Sequence, residues 1–142
     1  MPEDGPDKLY IRKSDREKYD KLLGDSVFSG KGNKDVFIMA MLVGYYHKAR
    51  VELTNKEGFV RVEYLKDRDK SIMKAIAVAE TGRLDILVDK KQVYTLCEEY
   101  AAGGMELLMD MVFGGGYGSF VKKLESELVQ QFEKIQENTG GS

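Results

Sequence analysis

The 142-residue chain is poor in the residues that most often carry chemistry: it has one Cys, one His, two Pro and no Trp. A single Cys leaves no disulfide framework within the chain and no Cys-cluster zinc site. One His adds too little for a His-rich metal site. No apolar run approaches the ~18–20 residues of a membrane span. The opening MPEDGPDK is polar and acidic, unlike a secretory signal. The expectation is a soluble protein of a reducing compartment, cytoplasmic, with no metal and no cofactor.

What is there has the bulk of a folded body. The length fits one domain, and 42% apolar residues exclude a disordered chain. Composition predicts one compact domain over 1–137, with 138–142 a flexible tail. The net charge of −2 hides an asymmetry. Residues 1–70 hold 15 Lys/Arg against 13 Asp/Glu, and residues 71–142 hold 7 against 11. The sharpest basic stretch is 8–34. There Lys8, Arg12, Lys13, Arg16, Lys18, Lys21, Lys31 and Lys34 meet only Asp15, Glu17, Asp20 and Asp25. Such an excess favours phosphate backbones. The plainer reading is a solvated surface of mixed charge.

Periodicity predicts a mainly α protein with two or three short β-strands, an α+β fold. Residues 7–13 alternate, with Leu9 and Ile11 on one face and Lys8, Tyr10 and Arg12 on the other, which is a strand signal. Ser14 with Glu17 reads as a capping box opening a helix that Gly24 stops. Asn33 is placed to cap a second helix, and Asp35 suits its positive end. That helix contains VFIMAMLVGYY (36–46), apolar on every side. It is either the central core helix or part of an intimate dimer interface. Residues 59–65 alternate as a second strand. Asp67 or Asp69 starts a third helix with Ile72, Ala75, Ile76 and Ala79 inward, closed by Gly82. LDILV (84–88) is ambiguous between strand and turn. Asp89 and Gln92 form a cap-like start for a helix carrying Val93, Leu96, Cys97 and Tyr100. Gly103-Gly104 should kink or break it, at ~1 kcal/mol each. The pattern resumes from Met105 to Phe113. Ser119 caps a last amphipathic helix with Val121, Leu124, Leu128, Phe132 and Ile135 inward.

Few residues suggest chemistry. His47 lies at a helix end without the nucleophile and acid of a triad. Cys97 shares the inward spacing of Val93 and Leu96 and reads as core. Glu99, Glu106 and Asp110, near one helical face beside Glu98, lack the His of a carboxylate-bridged metal site. They read as a solvated acidic face able to dock a basic partner. The 114–118 glycine cluster precedes Lys122 and Lys123, but it matches neither phosphate-loop pattern and reads as a connector. No catalytic residue and no metal ligand is assigned. The candidate DNA-binding residues are Lys8, Tyr10, Arg12, Lys13, Lys31 and Lys34. The order strand, helix, helix over 8–50 is that of a ribbon-helix-helix module, in which strands of two chains pair and enter the major groove. The competing reading is an edge strand whose charges discourage aggregation.

Several segments carry a resemblance. Lys34-Asp35-Val36-Phe37 before an apolar helix with Gly44, then AIAVAETG (75–82), LDIL (84–87) and EEYAAGGMELL (98–108), resemble the DNA phosphorothioation-associated protein 4 family. These are small accessory proteins of dnd-type sulphur-modification systems in bacteria and archaea. The likeness spans residues 8–113 and includes no catalytic signature, so it transfers no active site. It implies a role in DNA phosphorothioation or the restriction coupled to it. Such systems use separate cysteine- and cluster-bearing enzymes for sulphur transfer. The resemblance therefore implies a non-enzymatic accessory, whose partners are DNA, other dnd-system proteins or a second copy of itself. The rival reading is a protein-interaction module that never touches nucleic acid. A hydrolase or nuclease stands third.

Overall fold

The computed structural model describes residues 6–140, without the side chains of 128 and 131–140. Expectations that rest on the Leu128, Phe132 and Ile135 side chains, on residues 1–5 or on residues 141–142 lie outside the described residues. The fold is mainly α with a short sheet. In chain order it runs β1 (Lys8–Arg12), α1 (Arg16–Leu23), α2 (Asn33–Tyr46), β2 (Lys56–Arg61), α3 (Asp67–Thr81), α4 (Lys90–Gly114) and α5 (Tyr117–Gly140). Short 3-10 turns occupy Lys13–Asp15, Ser26–Phe28, Val62–Tyr64 and Leu84–Val88. The chain divides into two compact units after Met109.

The first unit is built around α2. Val36, Phe37, Ala40, Met41 and Val43 are fully shielded from solvent. The all-round apolar helix is therefore the central core helix, the first of its two readings. Around it lie Tyr19 and Leu22 of α1, Leu9 and Val60 of the sheet, Met73 of α3, and Cys97, Met105 and Leu108 of α4, all buried. The sheet is β1 against β2, antiparallel, with a bulge between Leu9 and Tyr10.

Gly103 and Gly104 do not break α4, which continues through them to Gly114. They let the α2 region approach at backbone distance. A Cβ on Gly104 would lie 2.0 Å from the Ala40 carbonyl oxygen, and one on Gly103 would lie 2.0 Å from that of Ala49. A Cβ on Gly44 of α2 would meet the Tyr100 carbonyl oxygen, also at 2.0 Å. Packing between elements distant in sequence outweighs the helix-propensity cost of two glycines.

Several local expectations are corrected. Ser14 caps nothing. A 3-10 turn occupies 13–15, α1 starts at Arg16, and Asp15 is buried in ion pairs. Asn33 is already helical, and the Asp35 carboxylate accepts the Gly32 N–H at 2.9 Å. The second strand is 56–61, not 59–65, because Val62–Tyr64 turns into a 3-10 helix. Residues 84–88 settle as a 3-10 helix. On α3 the buried face is Asp69, Met73, Ile76 and Ala77, while Ala75 and Ala79 are exposed. The face is rotated toward Met73, whose carbonyl oxygen accepts from the Cys97 thiol at 3.7 Å. The ribbon-helix-helix expectation is also corrected, since β1 pairs with β2 of its own chain. The expected helix ends at Gly82 and Asp89 hold: Gly82 is left-handed at φ 70°, and Asp89 accepts the Gln92 N–H at 3.1 Å.

The second unit, from Asp110, holds the end of α4, a turn at Gly115 (φ 90°) and α5. The Gly116 N–H closes the turn onto the Met111 carbonyl at 2.8 Å. α5 begins at Tyr117, ahead of Ser119, so the glycine cluster is a tight interhelical connection. Phe120 is buried, and Val121 and Leu124 are half-buried.

Candidate nucleic-acid interface

The β1–β2 register decides which basic residues share a face. Lys8 pairs with Arg61, Tyr10 with Gly58, and Arg12 with Lys56. Cross-strand partners project to the same side of a sheet. The opposite side is the core side, where Leu9, Ile11 and Val60 are buried. The outward face thus carries Lys8, Arg61 and Lys56, all exposed, around a half-buried Tyr10, with Arg61 also paired to Glu63 at 3.2 Å. The Lys56 ammonium stands 5.0 Å over the Tyr10 ring, a cation–π contact. Gly58 leaves room for the Lys8 stem, since a Cβ there would come within 2.9 Å of Lys8 Cδ. The Lys13 N–H extends the ladder to the Asn55 carbonyl at 3.0 Å, and the Lys13 side chain is exposed at that end of the ribbon.

Two of the six candidate DNA residues have internal work. Arg12 donates from Nε and Nη2 to the Asp15 carboxylate at 2.9 and 3.1 Å, and from Nη2 to the Ala102 carbonyl of α4 at 3.1 Å. Lys34 is 2.8 Å from the buried Asp69 carboxylate, which holds the Lys34 ammonium above its ordinary pKa. Lys31 lies in the turn before α2, close enough to Asp35 to act on its carboxylate. The ribbon brings together Lys8, Tyr10 and Lys13, and it adds Lys56 and Arg61, which lie outside the basic stretch 8–34. The alternation of 59–65 hinted at Arg61 and nothing hinted at Lys56, because strand pairing across more than forty residues is invisible in local charge.

The acidic candidates are partly neutralised. Glu99 accepts from Arg50 Nε at 2.7 Å. Arg50 also bonds Glu80 at 3.2 Å, and Glu80 accepts the Tyr100 hydroxyl. Glu106 pairs with Lys18 at 2.5 Å, and that bond holds its carboxyl below the usual range. Asp110 is exposed and opens the second unit. Glu98, by contrast, is buried and accepts the Tyr10 N–H at 2.9 Å. Burial pushes its carboxyl up to about 7, against the opposing pull of the Tyr10 N–H and Lys56. Nothing in the sequence separated Glu98 from Glu99. Only the fold shows that one faces β1 and the other Arg50.

His47 is exposed at the end of α2, and Cys97 is fully buried. Among the described residues no three His, Cys, Asp or Glu side chains converge as a metal site, and no helix is long and apolar enough to cross a membrane.

A family model described as DNA sulphur modification system-associated protein 4 matches residues 18–140. The match takes in β2 and every helix from the third residue of α1 onward, and it begins after β1. No curated protein and no solved structure matches the chain.

Proposed function

We propose that this chain, which belongs to the DNA sulphur modification system-associated protein 4 family, is a non-enzymatic accessory that holds duplex DNA through the outward face of its β1–β2 ribbon. One observation carries the reading: Lys8, Lys56 and Arg61 stand exposed on one face of a two-stranded sheet. A two-stranded ribbon is of a size the major groove admits. Lysine and arginine on such a ribbon neutralise phosphates and release counterions. Tyr10, flat and half-buried among them, offers an aromatic surface without raising the profile of the face. Contacts of this kind position a protein on DNA without reading its sequence. That suits a factor presenting DNA to other proteins of the modification system.

The alternative, docking of a basic partner on Glu99, Glu106 and Asp110, has less support. The first two carboxylates already have cations within ion-pair distance.

The test is a binding titration with plain and phosphorothioate duplexes, on the unaltered chain and on Lys8→Glu/Lys56→Glu. The unaltered chain should bind at low salt, and the double reversal should weaken binding at least tenfold at a temperature where circular dichroism shows both proteins folded. Equal binding by the double reversal sinks this assignment of the face. A preference between the two duplexes would identify the state of the DNA that the accessory serves.

A further inference from the structure

Away from the ribbon face, a cleft of about 460 Å³ opens between α3, the start of α4 and the strand ends. Ligand pockets commonly enclose ~300–1,000 Å³. Its accessible apolar surface comes from the half-buried Pro6, Val62 and Leu87, over a floor of Met73, Val93 and Tyr94. Met73, Val93 and Tyr94 are buried side chains of two long helices, so this surface is preformed. Three ammonium groups line the same cleft: Lys70 and Lys74, one turn apart on α3, and Lys90, the first residue of α4. None of the three makes an ion pair among the described residues. This differs from Arg12, Lys18, Lys34 and Arg50, each of which has a carboxylate partner. The strand-end wall supplies two carboxylates instead, Asp7 and Glu63.

We propose that this cleft binds a nucleoside phosphate. The phosphate meets Lys70, Lys74 and Lys90, which give charge-assisted hydrogen bonds to its oxygens. The base lies against Val62 and Leu87, the half-buried apolar side chains of the lining, over the Tyr94 edge. Sugar hydroxyls or an exocyclic amine donate to Asp7 and Glu63. A ligand with an anionic end, a flat body and donors elsewhere satisfies all three walls at once. An inorganic anion uses only the lysines, and an apolar ligand leaves them unpaired. The same chemistry arises from a free nucleotide or from the end of a DNA strand. The inference goes beyond duplex binding and does not rest on it: the cleft's lysines are not among the cations of the ribbon face, although its Glu63 pairs with Arg61 of that face at 3.2 Å.

The test uses the full chain and isothermal titration with AMP, adenosine, inorganic phosphate and a 5′-phosphorylated dinucleotide. AMP or the dinucleotide should bind, with adenosine and phosphate each at least tenfold weaker, a factor that corresponds to ~1.4 kcal/mol. Tighter binding of AMP assigns a free nucleotide as the source, and tighter binding of the dinucleotide assigns a strand end. Lys70→Ala/Lys74→Ala, and separately Lys90→Ala, should each cost tenfold or more. These side chains make no ion pair among the described residues, so the melt and the duplex affinity should not change. The proposal is overturned if neither phosphate ester binds at ~1 mM. It is overturned equally if phosphate alone matches AMP, or if Lys70→Ala/Lys74→Ala/Lys90→Ala binds as the unaltered chain does. Loss of duplex binding in Lys8→Glu/Lys56→Glu with AMP binding intact would separate the two sites.

Discussion

Gly44 of α2 and Gly104 of α4 meet backbone to backbone: a Cβ added to Gly104 would sit 2.5 Å from the Gly44 nitrogen and 2.9 Å from its Cα. Real Cβ atoms do not approach backbone so closely, and neither neighbour is a flexible side chain that could yield. Overpacking a core commonly costs ~1–3 kcal/mol and occasionally more. Gly104→Ala should therefore destabilise by about 3 kcal/mol or more, at the upper end of that range, because helix axes rather than rotamers must shift. Gly118→Ala is the control, since a Cβ there meets nothing within 4 Å. Urea melts should show a large loss for the first and no loss for the second.

Glu98 sets a pH dependence. Its carboxyl is raised to about 7 by burial, above the ordinary 4.5. The folded state therefore holds this proton more tightly than the unfolded state. The stability linked to it is fully present below the ordinary value and is lost as pH rises through about 7. The loss should be on the order of 3 kcal/mol. Glu98→Gln keeps an acceptor for the Tyr10 N–H and removes the titration. Stability curves from pH 5 to 8 should converge at the acid end, with the unaltered protein falling below the variant toward pH 8. Parallel curves would show that Glu98 does not titrate in this range.

Four of the six DNA-binding candidates should sort into two kinds. Arg12→Ala strips Asp15 of one of its two cations, and Lys34→Ala strips Asp69. Removing one partner of a buried pair costs up to ~3–5 kcal/mol. Lys18 remains on Asp15, and the Lys66 N–H remains on Asp69 at 2.9 Å, so about 1–3 kcal/mol is expected. Lys8→Ala and Lys13→Ala should instead leave the melt within ~0.5 kcal/mol, and each should lower the salt slope of DNA binding. A melt unchanged by Arg12→Ala would contradict the internal role.

Cys97 should be inert in the folded protein. Its thiol is fully buried, and burial holds its pKa above the ordinary range. Thiol reagents attack thiolates. Labelling should therefore track unfolding, rising with urea along the same curve as circular dichroism. Fast labelling in buffer would place the thiol at the surface.

What could be read without the fold was whatever depends on near neighbours. The all-round apolar run 36–46, the stop at Gly82 and the Asp89 cap are properties of a few consecutive residues, and each is found in place. The family resemblance held for the same reason, as a string of short segments in order, although the family model spans 18–140 rather than 8–113, leaving out β1 and taking in α5. The misreadings share the opposite cause. Gly103-Gly104 looked like a breaker because its partner, Gly44, lies far back in the chain. The inward face of α3 was set by α4 rather than by its own alanines. Arg12 looked like a free cation on a strand, but the turn at 13–15 folds Asp15 back beneath it. Lys56 and Arg61 joined the basic face only through the register of β2 on β1.

The salt dependence of duplex binding tests the ribbon face most directly. Lys8, Lys56 and Arg61 stand on the outward face and Lys13 is exposed at the ribbon's end, with Arg61 also paired to Glu63, and each phosphate neutralised contributes about −0.9 to the slope of log K against log salt. A titration from 50 to 200 mM salt should give a slope of about −3 to −4, reduced by about 2 in Lys8→Glu/Lys56→Glu. Undetectable binding at 50 mM salt, or a slope that the double reversal leaves unchanged, would contradict a DNA-holding role for this face.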